Sequence, residues 1–390
     1  MALFKKRQVI KSFTLKQIAM VDLQTQYQRL QKEINEAVLG VMESTRFIGG
    51  PEVDNFATEL GDYLRTKHLI PCANGTDALQ IAMMALGLKA GDQVIVPTFT
   101  YVATAEVIAL LGLTPVMVDV DEDTFTLNLQ QVEAVISPKT KAIVPVHLYG
   151  QCADMESLMK LADSNGIFVI EDNAQAIGSD YHFSNGKTVK SGTIGQFGCT
   201  SFFPSKNLGC FGDGGAICTD DDDLASKARM IASHGQSRQY VHDVVGVNSR
   251  LDAMQAAILR VKLPHLDDFI DRRIAVADNY DAAFKNIQQI KTPVRHSRSS
   301  HVFHQYTLVL NGVDRDGLKN FLAENDVPSM IYYPIPLHKQ KAFALSDLER
   351  SFSVTEHLCD NVISLPIHTE MELEQQDYII EKVIEFINKG

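Results

Sequence analysis

The sequence lacks the patterns that mark several classes of protein. Its six cysteines are scattered and form no C-x-x-C pair, which argues against a zinc site or a disulfide framework and suits a reducing cytoplasm. No stretch approaches the roughly eighteen uninterrupted apolar residues of a membrane span. The basic opening segment, residues 1–16, has no long apolar run and does not read as a secretory signal. Acidic residues outnumber basic ones, and the formal net charge of −12 argues against a nucleic-acid-binding surface.

What is present is the composition of a large globular protein. The chain has 390 residues, of which 45% are hydrophobic and 22% charged, enough for a large core and a second domain. Between residues 69 and 219, short apolar runs alternate with helical patterns, which predicts the α/β class with a mostly parallel sheet and helices on both faces. The seven predicted strands are 69–73, 93–97, 115–119, 142–146, 167–171, 198–203 and 216–219.

The pattern changes after residue 250. A long helical stretch over residues 251–284 leads to a strand at 306–310, a helix near 315–324 and a proline-rich loop at 333–336. This order predicts a smaller α+β domain that follows the parallel sheet. The helical stretch has a break near Pro264, which we take as the domain boundary. We therefore predict an N-terminal arm (1–19), a large domain (20–264) and a small C-terminal domain (265–390).

Two residues thirty-four positions apart predict the chemistry. Asp172 follows the strand predicted at 167–171, and Lys206 follows the one predicted at 198–203. Enzymes that use pyridoxal phosphate (PLP) need a lysine amine to hold the aldehyde as a Schiff base and a carboxylate to keep the ring nitrogen protonated. Burial among neighbouring aromatic residues would lower the pKa of Lys206 and leave a free amine. Alone, each residue is a surface lysine or a solvated aspartate; together they predict a PLP site.

Four further segments offer groups that a PLP site uses, each with an ordinary structural alternative. Gly75 and Thr76 open a helix, where backbone N–H groups favour an anion, although Thr76 alone is more simply an N-cap. Ser201 offers a hydroxyl to a phosphate, or merely ends a strand. Gln175 is within reach of the cofactor's phenolic oxygen, or satisfies a loop carbonyl. Tyr101 is placed to stack on a planar ring, or to pack in the core.

Other conspicuous patterns predict no site. The glycine-rich residues 209–215 are not followed by the Gly-Lys-Ser/Thr and helix of a phosphate loop, so they are expected to allow tight turns. The acidic run 220–223 precedes a helix and is expected to stabilise its N-terminus rather than bind a metal. His234, His301 and His304 lack ligand spacing and are expected to be hydrogen-bonded or exposed. No metal site is predicted.

With these pieces placed, the chain resembles the DegT family of nucleotide-sugar aminotransferases, PLP enzymes of fold type I that act as homodimers. The resemblance runs from about residue 21 to the C-terminus. It implies that Lys206 binds the cofactor covalently and shuttles protons, and that Asp172 pairs with the pyridine nitrogen. It also implies that Gln175 lies near the phenolic oxygen and that Tyr101 stacks on the ring. The implied phosphate contacts are Gly75, Thr76, Ser201 and an asparagine from the partner subunit, which matches Asn248.

Within this family, residues 72–80, 148–154 and 201–215 look most like enzymes that aminate C3 of UDP-2-acetamido-2-deoxy-3-oxo-glucuronate for surface polysaccharide or lipopolysaccharide, with L-glutamate as donor. The resemblance implies that Arg250 meets a substrate carboxylate, bidentately. It also implies sugar-nucleotide contacts from Tyr332, Tyr333 and His338. The chain departs from the pattern at Tyr332, where those enzymes tend to have histidine.

Several alternatives remain at this stage. One is an aminotransferase for a 4-keto sugar or a dTDP-3-keto sugar. A sugar dehydratase of the same fold would have histidine in place of Lys206, so the lysine argues against it. A PLP-binding regulatory protein without turnover would show no half-reaction with any amino donor. A nucleotide-binding α/β protein without PLP would be colourless.

Overall fold

The computed structural model describes residues 16–343 and 351–389, so the predicted N-terminal arm lies almost wholly outside the described residues. The strands are β1 (His68–Cys72), β2 (Gln93–Pro97), β3 (Thr114–Val118), β4 (Thr140–Ile143), β5 (Phe168–Asp172), β6 (Asp180–His182), β7 (Thr188–Lys190), β8 (Phe197–Ser201), β9 (Gly215–Thr219), β10 (Gln236–Arg238), β11 (Val241–His242), β12 (Ile290–Lys291), β13 (Tyr306–Leu310) and β14 (Val362–Leu365). The helices are α1 (Leu23–Arg29), α2 (Gln31–Ser44), α3 (Pro51–Leu64), α4 (Gly75–Ala85), α5 (Ala103–Leu110), α6 (Leu129–Val135), α7 (Met155–Asn165), α8 (Asp222–Ala232), α9 (Ala253–Lys262), α10 (Leu266–Phe284), α11 (Arg315–Glu324), α12 (Ser353–Asn361) and α13 (Leu373–Ile387).

Seven strands form the main sheet, in the order β1-β9-β8-β5-β4-β2-β3. Within this sheet β9 runs antiparallel to both of its neighbours, and the remaining neighbouring pairs are parallel. Parallel strands are covered on both faces and therefore need nearly continuous apolar runs. These are the seven strands that the apolar runs predict, so the α/β class with a mostly parallel sheet is confirmed.

Helices cover both faces of the sheet, as the packing of three consecutive residues of β2 shows. Val94 and Val96 of β2 pack in a core with α4, α5 and α8, whereas Ile95 packs in a separate core with α6 and α7. Side chains alternate between faces along a strand, so the two cores lie on opposite sides. The sheet is therefore the central layer of three.

Short polar side chains cap the N-termini of several of these helices. Asn74 precedes α4 and its side chain accepts a hydrogen bond from the backbone N–H of Asp77. Asp221 caps α8 in the same way, accepting from the N–H groups of Asp223 and Leu224. The acidic run 220–223 thus serves the start of a helix, as predicted.

The long helical stretch predicted over residues 251–284 is interrupted near Pro264, where the sequence predicts a break. A 3₁₀ turn, Leu263–His265, separates α9 from α10 and contains Pro264. Proline lacks an N–H group and its ring clashes with the preceding turn, so a continuous α-helix is not possible there.

After this turn, β12, β13 and β14 form an antiparallel sheet that packs with α11 and α13 around the core residues Leu308, Ile363 and Ile379. The exact domain boundaries stay a prediction.

Within residues 16–343 and 351–389, no helix has both the length and the hydropathy to cross a membrane. The ends of the central strands matter more for function. The carboxyl ends of parallel strands in an open α/β sheet are where such folds bind ligands. The strands β5 and β8 are neighbours, and their carboxyl ends carry Asp172 and lead to Lys206.

Candidate active site

Asp172 is the last residue of β5, and its side chain is buried. The Thr104 hydroxyl donates to Oδ2 over 2.8 Å, and the backbone N–H of Ala174 donates to Oδ1 over 3.2 Å. Burial raises the pKa of the Asp172 carboxyl, while these two donors and the positive charge of Lys206 oppose the rise. A buried carboxylate with two donors among the described residues is stabilised further by a cationic partner.

Lys206 lies in the loop after β8, where its backbone N–H donates to the carbonyl oxygen of Phe203 over 2.8 Å. Its amine has no hydrogen bond or ion pair with the residues that the structure describes. Burial lowers the pKa of Lys206 to about 8, although the charge of Asp172 acts in the opposite sense. At neutral pH this amine is therefore much closer to its nucleophilic form than an exposed lysine is.

The loop that carries Lys206 is held from two sides. The side-chain amide of Asn207 donates to the carbonyl oxygen of Val302 over 2.9 Å, and the buried amine of Lys262 donates to the carbonyl oxygen of Gly209 over 2.7 Å. A Cβ added at Gly209 would lie 2.3 Å from a backbone oxygen of the same loop. The loop therefore turns too tightly for any residue but glycine at that position, which agrees with the turn role predicted for 209–215.

Gly75, Thr76 and Ser201 come together at the start of α4. A Cβ added at Gly75 would lie only 2.8 Å from the Cβ of Ser201, so glycine is needed for this close approach. The backbone N–H groups of Gly75 and Thr76 occupy the first turn of the helix, where they have no acceptor among the described residues. Two amides at a helix N-terminus and a nearby hydroxyl form a donor set that suits a phosphate.

Gln175 has a defined amide orientation because its oxygen is already engaged. The backbone N–H of Tyr149 donates to Oε1 of Gln175 over 2.7 Å. The Nε2 group therefore points the other way, where it donates to the hydroxyl of Tyr333 over 3.2 Å. This arrangement presents an N–H donor, as a contact to a phenolate oxygen requires.

Aromatic side chains from three distant segments meet beside these groups. Tyr101 is 59% exposed, and its ring centroid lies 6.3 Å from that of Tyr333. Tyr333 also packs edge-on against Phe99 at 6.1 Å. The carbonyl oxygen of the adjacent Tyr332 accepts a hydrogen bond from the hydroxyl of Tyr149. The exposed face of Tyr101 is thus available for stacking next to the loop that was predicted to contact the sugar.

His338 belongs to the same predicted contact loop, but both of its ring nitrogens are engaged within the protein. Nδ1 lies 2.9 Å from the hydroxyl of Thr98, and Nε2 lies 3.1 Å from a carboxylate oxygen of Glu356. Burial lowers the pKa of His338 despite the charge of Glu356. The ring therefore holds the loop against the end of β2, and its substrate contact stays a prediction.

Asn248 and Arg250 are exposed and have no hydrogen-bond or ion-pair partner among residues 16–343 and 351–389. Ser249 between them is buried, and its hydroxyl accepts a hydrogen bond from the N–H of Ala73 over 3.0 Å. This bond anchors the segment beside the start of α4 while the two flanking side chains point outward. Their predicted roles therefore stay predictions on this single chain.

Two residues near the predicted pair were not identified as site residues from the sequence. Thr104 has no signal beyond its position three residues after Tyr101. His304 is buried; its Nε2 lies 3.5 Å from Nε2 of Gln305, and its Nδ1 has no hydrogen-bond partner in the described part of the chain. Burial, together with the charges of Lys206 and Arg273, lowers the pKa of His304 well below its usual range. A neutral imidazole beside Lys206 adds no charge that would oppose protonation of the cofactor ring.

The assembled groups fit PLP. The buried carboxylate suits the protonated ring nitrogen, and the Lys206 amine suits the aldehyde. The Gly75 cradle, meaning the N–H groups of Gly75 and Thr76 with the hydroxyl of Ser201, suits the phosphate, because these N–H groups have no acceptor among the described residues. These groups come from the ends of different strands and helices, so the fold, and not a single sequence motif, brings them together.

The lowered pKa of Lys206 predicts how cofactor uptake depends on pH. The neutral amine is the reactive form, so the rate of covalent PLP uptake should rise about tenfold per pH unit below pH 8 and level off above it. Stopped-flow absorption between pH 6 and 10 measures this rate, and free butylamine corrects for the ionisation of PLP itself. A plateau reached only above pH 10 would contradict the burial of this amine.

Comparison with known proteins agrees with this geometry. The profile of the DegT/DnrJ/EryC1/StrS aminotransferase family matches residues 28–384. The pleiotropic regulatory protein of Geobacillus stearothermophilus is 47% identical over 372 residues, which cover 95% of this chain and 98% of that protein. The UDP-2-acetamido-2-deoxy-3-oxo-D-glucuronate aminotransferase of Pseudomonas aeruginosa is 46% identical over 355 residues, covering 91% of this chain and 96% of the relative.

A solved structure gives the same result for the fold and the cofactor. NtdA from Bacillus subtilis, with bound cofactor PMP, superposes with a TM-score of 0.87 at 30% identity and covers 97% of this chain and 87% of its own. The similarity therefore includes both the main sheet and the C-terminal sheet.

Proposed function

Because this chain belongs to the DegT/DnrJ/EryC1/StrS aminotransferase family and is a PLP-dependent enzyme, we propose that it transfers an amino group from L-glutamate to C3 of UDP-2-acetamido-2-deoxy-3-oxo-glucuronate. The product would serve surface polysaccharide or lipopolysaccharide synthesis. The observation that carries the reaction is the unpaired amine of Lys206 next to the buried carboxylate of Asp172. The substrate rests on the 46% identity to the Pseudomonas aeruginosa enzyme of that name.

When bound, PLP supplies an electron sink that stabilises negative charge at the carbon from which a proton is taken. In this proposal Asp172 keeps the ring nitrogen protonated, and the Nε2 group of Gln175 donates to the phenolic oxygen. Tyr101 holds the ring plane. Lys206 takes the α-proton of glutamate at Nζ, which its lowered pKa permits near neutral pH.

The phosphate and substrate contacts complete the proposed site. Gly75, Thr76 and Ser201 bind the phosphate through two N–H groups and a hydroxyl. The planar guanidinium of Arg250 binds the uronate carboxylate bidentately. Tyr332 and Tyr333 contact the sugar, and His338 sets the position of their loop through Thr98 and Glu356.

We also propose that the enzyme is a homodimer with its active site at the subunit interface. The segment before Asn248 exposes large apolar side chains: Tyr240 and Val245 are each 85% exposed. Contiguous exposed apolar patches mark protein–protein contacts, and Val244 between these two residues is also 43% exposed. Asn248 has no side-chain partner among residues 16–343 and 351–389, so in this proposal it reaches the cofactor phosphate of the other subunit.

The substrate proposal is tested with the purified protein loaded with PLP. L-Glutamate should bleach the visible absorption band of the lysine-bound cofactor, and a panel of 3-keto and 4-keto UDP- and dTDP-sugars is then added. Restoration by the 3-keto uronate alone supports the proposal. Restoration by a 4-keto or a dTDP-sugar keeps the enzyme class and overturns the substrate.

The alternative of a regulatory protein without turnover, raised on the sequence, also corresponds to the name of the Geobacillus stearothermophilus relative. The same experiment decides it, because such a protein would bind PLP and remain coloured with every amino donor. The full set of Lys206, Asp172, Gln175 and Ser201 favours turnover, since cofactor binding alone does not require an amine with a lowered pKa.

A further inference from the structure

Thr104 is the one side chain that donates to the Asp172 carboxylate among the residues that the structure describes. It lies on the first turn of α5 with no exposed surface, and its Oγ1 is 2.8 Å from Oδ2 of Asp172. The other donor, the N–H of Ala174, is a backbone group on the opposite oxygen at 3.2 Å. Loss of the Thr104 hydroxyl would therefore leave Oδ2 buried without a donor.

We propose that Thr104 is a positioning residue that keeps Asp172 ionised and correctly oriented for the protonated ring nitrogen of PLP. This inference rests on the role proposed above for Asp172. A hydroxyl that donates to a buried carboxylate stabilises the charged form, which burial opposes. It also restricts rotation about the Cβ–Cγ bond, because each carboxylate oxygen then has its own donor.

The position of Thr104 in the chain gives this contact a second consequence. Tyr101, whose exposed ring is placed to stack on the cofactor, lies three residues before Thr104. The short segment 101–104 therefore carries both the group that would define the ring plane and the group that holds Asp172. A shift of the start of α5 would move Tyr101 and Thr104 together. One short segment of backbone would therefore position the groups that contact the face and the nitrogen of the cofactor ring.

The test compares substitutions that differ by the hydroxyl alone. Thr104→Ser and Thr104→Ala both remove the γ-methyl group, but only serine keeps the donor; Thr104→Val keeps the shape without the hydroxyl. Thr307→Val is the matched control, since Thr307 is also buried and its hydroxyl lies 2.8 Å from that of Ser364 in the C-terminal sheet. Each variant is measured for PLP affinity by absorption titration and for the rate of the glutamate half-reaction.

Thr104→Val and Thr104→Ala should each weaken PLP binding and slow the half-reaction by about 10- to 100-fold, as expected for a lost hydrogen bond to a charged group. Thr104→Ser should stay within about threefold of the wild type, and Thr307→Val should change neither quantity. Equal PLP affinity in the serine and alanine variants would overturn the proposal. This comparison remains available if the valine variant does not fold.

A double-mutant cycle separates positioning from general packing. If Thr104 acts through the Asp172 charge, Thr104→Val should have little further effect on PLP affinity in an Asp172→Asn background. Additive losses would show that Thr104 supports the structure independently, and would overturn the inference. If Asp172→Asn by itself leaves PLP affinity and the half-reaction unchanged, the proposed role of Asp172 fails first, which distinguishes the two failures.

Discussion

Replacing Lys206 with alanine should reduce turnover by at least about 10⁴-fold, because the substitution removes both the covalent attachment point and the proton-transfer group. Some PLP should still bind, since the Asp172 carboxylate and the Gly75 cradle remain. The measurement is the single-turnover half-reaction with L-glutamate, followed by absorption. Full activity in the Lys206→Ala enzyme would exclude this lysine as the catalytic base.

Lys262 provides an internal control for this assignment. It is also buried, and burial lowers the pKa of its amine to about 8, as for Lys206. Its amine, however, donates to Gly209 and lies 4.6 Å from the ring centroid of Phe211. Reduction of the PLP-loaded wild type with borohydride, followed by peptide mapping, should label Lys206 and leave Lys262 unlabelled. A label on Lys262 would show that low pKa alone selects the site.

The Lys206→Ala chain also tests the proposed dimer. Mixed with an Asn248→Ala chain under conditions of subunit exchange, it should form hybrid dimers with one intact site, provided that Asn248 acts across the interface. Random mixing would then restore about a quarter of the wild-type sites, because half of the dimers are hybrids. If Asn248 acts within its own chain, every site carries one defect and activity stays at the level of the two single variants.

Asp172→Asn should lower the rate of the glutamate half-reaction by about 10³-fold, because asparagine keeps the shape but cannot hold the ring nitrogen in its protonated form. The loss should not reflect unfolding. Burial raises the pKa of Asp172, so ionising this carboxyl opposes folding in the protein without ligand, and asparagine removes that cost. Thermal unfolding of the apo variant, measured beside the half-reaction, checks both statements.

Asp119 supplies the matched control for this substitution. It is another buried aspartate at the carboxyl end of a strand, but it accepts hydrogen bonds from the backbone N–H groups of Val354 and Thr355 at the start of α12. Asp119→Asn should therefore lower the melting temperature and leave the half-reaction within about twofold. If both variants lose stability equally and activity equally, the effect at Asp172 is structural and its proposed role is wrong.

The positions of the main-sheet strands along the chain and the pair Lys206 and Asp172 could be predicted from the sequence for different reasons. Strands such as β2 and β9 are buried on both faces, so their apolar runs are visible in consecutive residues. Lys206 and Asp172 could be identified because PLP chemistry requires those residue types after strands that end at one edge of the sheet. The break near Pro264 could be predicted as well, because proline cannot continue an α-helix whatever the apolar periodicity on either side of it.

The contacts that complete the site depend on the tertiary structure. Thr104 and Asp172 are 68 residues apart, and Gln175 and Tyr333 are 158 apart. No local pattern encodes such pairs, because they follow from how the strands are ordered and from how the C-terminal loop packs on the sheet.

The contacts of His338, too, could not be predicted from the sequence. Its residue type suits a substrate contact, and only the packing of the loop against Thr98 and Glu356 shows that both ring nitrogens are already engaged. The sequence alone thus determined the α/β class and predicted the lysine and aspartate that the chemistry requires, because burial and reactivity are carried by residue type and short-range order. The tertiary structure alone decided which polar groups hold them, because those partners meet through long-range packing.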